Sequence, residues 1–260
     1  MSHATPSPAP RRTFRRVIRL AIPVVILVLA GILLWNYSRI QRLLAVNSLF
    51  EHEHIAYNFT HMDELFHYQV ITPTPGKLRH TWQRAEPSAR KGLPTSFDFE
   101  GESVAVQAFL EQTDTTALLV LHHGEIVHEI YPRPEEAGGA EARRISWSVA
   151  KSFLSAVFGV ALERGLIESL DDPVTKYAPA LRGSAYDGVP IRHVLQMSSG
   201  VRFNEDYLDF GSDINKMGRV LAIGGSMDAF AASIEGRERE SGVSRHYVSI
   251  DTHVIGMVLR

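Results

Sequence analysis

The chain has no cysteine among its 260 residues, which excludes disulfide staples, zinc–thiolate sites and thiol catalysis. That absence leaves the compartment open, because an exported protein need not carry disulfides. There is no surplus of basic charge: 27 Lys and Arg face 29 Asp and Glu, a formal net charge of −2. Nothing therefore marks a nucleic-acid partner. Internal repeats and low-complexity tracts are also missing. The histidines lack metal-site spacing: His52, His54, His61 and His67, and the pair His122-His123, offer no third ligand fixed on a rigid element, so no metal is expected. What remains is ordinary, 45% apolar and 22% charged, with room for one large domain or two small ones.

Residues 1–40 are a different material. Arg11, Arg12, Arg15, Arg16 and Arg19 lead into an apolar run over residues 20–35, interrupted only by Pro23 and Gly31. From residue 17 to residue 35, at ~1.5 Å per residue, the run reaches about 28 Å of helix, close to a bilayer's ~30 Å hydrocarbon core. Trp35 and Tyr37 stand where an interfacial aromatic belt belongs. Residues 17–38 are accordingly expected to form a transmembrane helix in contact with lipid, after a basic cytoplasmic tail over residues 1–16. The positive-inside rule then puts everything later outside the inner membrane, periplasmic or extracellular. A cleaved signal peptide is the competing reading. It lacks an A-x-A-like site after the run, and Arg39 and Arg42 follow closely. Arg11-Arg12-Thr13-Phe14 also resembles a twin-arginine export signal.

Residues 39–96 read as a membrane-proximal stalk or wrapping segment, broken by Pro73, Pro75, Gly76, Pro87, Gly92 and Pro94. One short helix is expected near residues 62–66, and Asn58-Phe59-Thr60 fits a glycosylation sequon. A compact domain is expected over residues 97–260. Residues 117–121 and 126–130 are apolar β-type runs around His122-His123-Gly124-Glu125, which reads as a hairpin. After Ser146-Trp147-Ser148-Val149-Ala150-Lys151 the spacing of Phe153, Leu154, Val157, Phe158, Ala161 and Leu162 predicts a helix packed on most of its surface, stopped at Gly165. Shorter helices are expected after Asp172-Pro173 and Pro190, after Ser226 or Asp228, and after Ser249 or Asp251. The last of these runs in an apolar periodic pattern up to Val258-Leu259-Arg260. A domain boundary usually falls in exposed, flexible sequence. The reading is therefore of an incomplete domain, with little hydrolase activity of its own.

Chemistry is suggested by serine and lysine three residues apart. A serine hydroxyl needs a base within hydrogen-bond reach, and on a helix Ser148 and Lys151 stack one turn apart. An apolar wall of Phe153, Leu154 and Val157 would lower the lysine's proton affinity and suit it to act as general base. The spacing alone means little: Ser88-Ala89-Arg90-Lys91 has it too, but lies between Pro87 and Gly92-Leu93-Pro94, where no long helix forms. An N-cap serine beside a surface lysine is the plain structural alternative for Ser148 and Lys151.

Order decides between them. A hairpin, then Ser148-x-x-Lys151 opening a helix, then Leu195-Gln196-Met197-Ser198-Ser199-Gly200, then His246-Tyr247-Val248-Ser249 resembles the serine β-lactamase and penicillin-binding superfamily. The resemblance is to its class C-like esterases and 6-aminohexanoate-dimer hydrolases. Residues 145–153 look like that family's nucleophile helix, and residues 196–207 like its following signature. The resemblance implies an α+β fold: an antiparallel sheet flanked by the Ser148 helix, with a helical region forming the far side of a cleft. It implies an acyl-serine mechanism on an ester, amide or β-lactam without a cofactor. Ser148 would be the nucleophile, Lys151 the base and Tyr247 the proton relay, with Trp147 and Ser249 touching substrate. Tyr186 and Tyr207 are the other candidates for the relay. The family's third element, K-T-G or H-x-G, has no match after Tyr247; Lys216-Met217-Gly218 fits the letters but comes too early. That element normally supplies one oxyanion donor, and losing such a donor costs ~2.7–4 kcal/mol. Two rivals follow from the same residues, a non-catalytic binding module of the same fold and a D,D-peptidase-like cell-wall enzyme.

Overall fold

Leucine, isoleucine and valine follow one another from Leu20 with only one proline, and the chain there is helical: α1 spans Arg11–Trp35. The computed structural model describes residues 11–66, 68–72, 74–76, 81–89 and 92–260. The first ten residues of the basic tail, His67, and Arg90-Lys91 of the second serine–lysine spacing lie outside the described residues. α2 (Tyr37–Asn47) follows α1 after a bend of 60°. Among the described residues no single helix is long and apolar enough to cross a membrane, but the Ala21–Trp35 part of α1 and α2 meet that test as a bent pair. The apolar side chains of the Ala21–Trp35 part point outward, Leu27 at 71% and Leu34 at 76% exposure.

The next residues fold back against the rest of the chain. α3 (Ile55–Asn58) and α4 (Met62–Leu65) are single turns. The Phe59 carbonyl accepts from the Ile145 N–H at 3.0 Å, which lays this segment along the approach to Ser148. The Asn58 amide is buried and donates to the Ser48 and Leu49 carbonyls. The sequon at Asn58 is thus turned inward in this fold and presents no glycan acceptor.

Two small sheets follow. β1 (Gln83–Arg84) pairs in parallel with a later strand, so the segment upstream of residue 97 contributes to the main sheet. β2 (Ser96–Phe99) and β3 (Glu102–Ala105) form a separate hairpin, followed by α5 (Val106–Gln112). β4 (Leu118–His122) and β5 (Glu125–Ile130) form the hairpin expected from the two apolar runs, in the order β1-β5-β4. His123 and Gly124 both have positive φ, 49° and 81°, as a two-residue turn needs to match the strands' twist.

Helices dominate the remainder. α6 (Pro134–Ala137) precedes α7 (Val149–Glu163), the helix headed by Ser148. α8 (Val174–Tyr177), α9 (Ile191–Leu195), α10 (Asp213–Ala222), α11 (Met227–Ala232) and α12 (Ser249–Val258) complete the fold. Of the two possible caps for α11, Ser226 accepts from the Ala229 N–H at 3.1 Å. Pro173 rather than Asp172 stands at the N-cap of α8. The core lies among these helices, where Tyr186, Phe203, Leu181 and Ile191 are fully buried beside Ile250 and Val254 of α12.

α7 departs from the expected burial. Phe158 and Ala161 are buried and Leu154 and Leu162 partly so, but Phe153 is 70% and Val157 57% exposed. One stripe of the helix takes all the packing, and the small sheets leave the opposite stripe uncovered. Of the three residues expected to wall the lysine, only Leu154 packs against the core.

One constraint fixes the Gly200 turn, and a second ties that turn to α12. Gly200 has φ of 78°, and a Cβ there would stand 2.4 Å from the Arg239 carbonyl oxygen, so the Ser198-Ser199-Gly200 turn admits no side chain at its last position. Beside it, the fully buried Asp251 accepts from the Tyr186 hydroxyl at 2.6 Å and the Ser199 hydroxyl at 3.0 Å. Its other oxygen has no partner. Burial pushes its pKa up to about 7, against the two hydrogen bonds that lower it.

A buried carboxyl raised from 3.8 to about 7 binds more protons folded than unfolded between those values. Its contribution to stability is therefore complete below pH ~4 and is lost as pH rises through about 7. Asp251→Asn keeps an acceptor for Tyr186 and Ser199. Thermal melts from pH 5 to 8 should show the variant losing less stability over that interval than the parent, by up to a few kcal/mol; parallel profiles would contradict the assignment.

Candidate active site

α7 begins immediately after a residue in an unfavourable backbone conformation. Trp147 has φ of 43°, a left-handed value costly for a bulky residue. Its ring stacks on Phe50 at 5.7 Å and meets Phe59 edge-on at 5.1 Å. These contacts come from the segment that folds back from α2, and they hold the turn that presents Ser148. The following turn consumes the first helical amides: Val149, Ala150 and Lys151 donate to Ser146, Trp147 and Ser148 carbonyls. The Ser148 N–H remains as the donor at the helix head.

The Ser148 hydroxyl is exposed and sits between two groups. Its Oγ lies 2.6 Å from the Tyr247 Oη and 3.2 Å from the Lys151 Nζ. Lys151, half-buried, also donates to Ser249 Oγ at 3.5 Å and lies 5.3 Å from the centre of the Tyr247 ring. Residues 99 positions apart in sequence are thus joined by hydroxyl contact. The structure brings together Ser148, Lys151, Tyr247 and Ser249, with Trp147 adjoining. Tyr186 is excluded from this cluster because its hydroxyl is buried on Asp251. Tyr207 reaches Glu205 at 3.5 Å and lies edge-on to Phe50; burial and neighbouring Glu205 raise its pKa.

Glu205 is a site residue that the spacing arguments missed. It accepts from the Ser249 N–H at 3.0 Å and, through its other oxygen, from the Ser249 hydroxyl. Because that hydroxyl donates to Glu205, its lone pairs are left for Lys151. Glu205 also supplies negative charge where α12 begins, a place expected from sequence to be capped by Ser249 or Asp251. The signal lay within the signature over residues 196–207, but no spacing rule links a loop glutamate to a helix more than forty residues on. His246 donates its N–H to the Met197 carbonyl at 2.7 Å and so seats the residue before Tyr247. Lys216 pairs with Asp213 on α10 at 3.0 Å, so its K-x-G letters lie in a helix. Ser88 lies in a short 3₁₀ turn, Pro87–Ala89.

A cavity of about 690 Å³ opens beside Ser148, bounded by α2, α4, α7, α10 and α12. Trp147, Ser148, Lys151 and Ser249 are among the residues that line it. Replacing Glu205 by alanine strips both acceptors from the head of α12. A loss of about 1–2 kcal/mol in stability is expected, read by thermal melts; an unchanged melting temperature would show that α12 needs no such cap.

A 41% identical stretch of 106 residues, 40% of this chain, aligns with the 6-aminohexanoate-dimer hydrolase of Paenarthrobacter ureafaciens. The chain spans only about a quarter (26%) of that relative's length. A structure from Bacillus anthracis, provisionally assigned as a 6-aminohexanoate-dimer hydrolase, superposes over 80% of this chain and 54% of its own with a TM-score of 0.61 at 17% identity. A class C beta lactamase overlaps 59% of this chain and 41% of its own, with 19% identity and a TM-score of 0.37. The Beta-lactamase family model matches residues 105–260, the stretch that holds α7, the Gly200 turn and the head of α12, and on that match the chain belongs to the beta-lactamase family.

Proposed function

We propose that this chain is a membrane-anchored serine hydrolase working through an acyl-serine at Ser148. One observation carries the reading: the Ser148 hydroxyl lies within hydrogen-bond reach of both a phenol and an amine, Tyr247 at 2.6 Å and Lys151 at 3.2 Å. Nucleophile and base in direct contact, with the base oriented by a third group, is the arrangement that activates a weak hydroxyl. Ser249, held by Glu205, is that third group for Lys151.

In this reading Lys151 takes the Ser148 proton as Oγ bonds to the substrate carbonyl carbon. The Ser148 N–H faces the developing oxyanion. Tyr247 hands a proton to the departing alcohol or amine as its bond to the acyl carbon breaks. Water, deprotonated by the same pair, then releases the acid and restores the serine. The relative's name points to cleavage of an amide between aminohexanoate units; esters and β-lactams are open to the same chemistry. The anchor reading rests on the exposed apolar surface of α1, its arginine flank and its continuation into α2. It places the compact part of the chain outside the inner membrane.

Fluorophosphonate labelling tests the nucleophile. Ser148→Ala should abolish it while Ser88→Ala leaves it intact, and Tyr247→Phe should slow ester hydrolysis by roughly 10²–10⁴-fold. Labelling that persists in Ser148→Ala would end the assignment. Deleting residues 1–40 should move the protein from the membrane fraction to the soluble one; a truncated form that still sediments with membranes after a high-salt wash would overturn α1 as the sole anchor.

A further inference from the structure

The cavity beside Ser148 has walls of one character. Away from the hydroxyl they are Val46, Leu49, Met62, Phe66, Met217 and Leu221, with Leu154 of α7 on the near side. Two of the polar side chains in the wall are already engaged, and a third, the buried Thr252 hydroxyl, is neutral and has no hydrogen-bond partner among the described residues. Asn215 donates to the Tyr207 and Asp209 carbonyls at 3.0 and 2.8 Å, and His253 pairs with Asp228 at 2.8 Å. A charged substrate group placed deep in this space would lose its hydration with little in return. An apolar chain would exchange water for methionine, leucine and phenylalanine surface. At about 690 Å³ the space falls within the ~300–1,000 Å³ usual for small-molecule sites.

The position of Tyr247 says which half of a substrate enters. It bonds to the Ser148 Oγ but is not part of the cavity wall. On the serine-hydrolase reading, which this step presupposes, Tyr247 protonates the departing group, so that group lies on the tyrosine side. The acyl group becomes bonded to Oγ and extends the other way, along the helix that carries Ser148 and into the cavity. We propose that this cavity is an acyl-chain site, and that the favoured substrates are esters or amides of unbranched, uncharged apolar acids of medium length. The bond formed is Oγ to acyl carbon, the bond broken is acyl carbon to leaving oxygen or nitrogen, and hydrolysis returns the free acid.

Gly256 allows the space to be filled without disturbing the fold. It lines the cavity from α12, and a Cβ there meets nothing within 4 Å. Leucine is also the better helix former, and circular dichroism checks that Gly256→Leu stays folded. The test uses the full chain in lipid nanodiscs, where partitioning of long esters is common to both proteins. Hydrolysis of p-nitrophenyl acetate, butyrate, hexanoate and octanoate is followed, and binding of octan-1-ol by calorimetry. The parent's kcat/KM should rise by about two- to fourfold per added methylene. Gly256→Leu should lower the octanoate-to-acetate ratio by about tenfold or more and weaken octanol binding. A parent that hydrolyses acetate but shows a flat chain-length profile, or a ratio unmoved by Gly256→Leu, overturns the acyl site while leaving the hydrolase reading intact. A parent that cleaves no ester yet binds octanol, with that binding lost in Gly256→Leu, overturns the hydrolase reading and supports an apolar-chain site. Absence of both hydrolysis and octanol binding overturns both.

Discussion

The site exists because the head of α12 is pinned. Tyr247 and Ser249 are far from Ser148 in sequence, and only the docking of α12 brings them to it. That docking is made by polar groups: Glu205 on the Ser249 N–H and hydroxyl, and Asp251 on Ser199 and Tyr186. Hydrophobic burial of Ile250, Val254 and Ile255 supplies attraction but little direction, since apolar contact tolerates sliding and rotation. Two carboxyls on named donors set the rotation of the helix, and with it the 2.6 Å approach of Tyr247 to Ser148. The carboxyls differ in kind. Glu205 is half-buried and meets solvent, whereas Asp251 is sealed and held near neutrality.

Local chemistry was legible in the sequence where short-range rules apply. The hairpin at residues 118–130 declared itself by two apolar β-type runs around His123-Gly124, and the helix after Ser148 by its apolar spacing. Ser148 and Lys151 needed only one helical turn to meet. Gly200 stood out only as part of a motif; its reason, the approach of the Arg239 carbonyl, is a tertiary fact that no local pattern encodes. Glu205 was invisible for the same reason, being a loop glutamate among other acidic residues whose partner is set by docking. The exposed stripe of α7 was misjudged because apolar periodicity reports what a helix could bury, and the small sheets do not cover both of its faces. The segment before residue 97 was hardest of all. Its breakers announced irregular chain, but not that Phe50 and Phe59 would brace Trp147 or that β1 would join the sheet.

Family membership and cavity lining answer different questions. The beta-lactamase match accounts for the helix that carries the serine and for the turn and helix that face it. The walls of the cavity are drawn partly from outside the matched residues, through Val46, Leu49, Met62 and Phe66. A shared framework with a separately sourced wall is how one fold serves different substrates.

Trp147 carries one more implication. Its left-handed backbone is the kind of conformation that costs roughly 1–3 kcal/mol in a non-glycine residue, and the stacking on Phe50 and Phe59 holds it there. The cost of the torsion and the gain from the stacking therefore meet in one residue. Glycine would relax the torsion and also remove part of the cavity lining and the brace that orients the adjacent hydroxyl. Alanine or serine would keep the strained torsion and lose the rings as well, so no small side chain at 147 replaces what the tryptophan supplies.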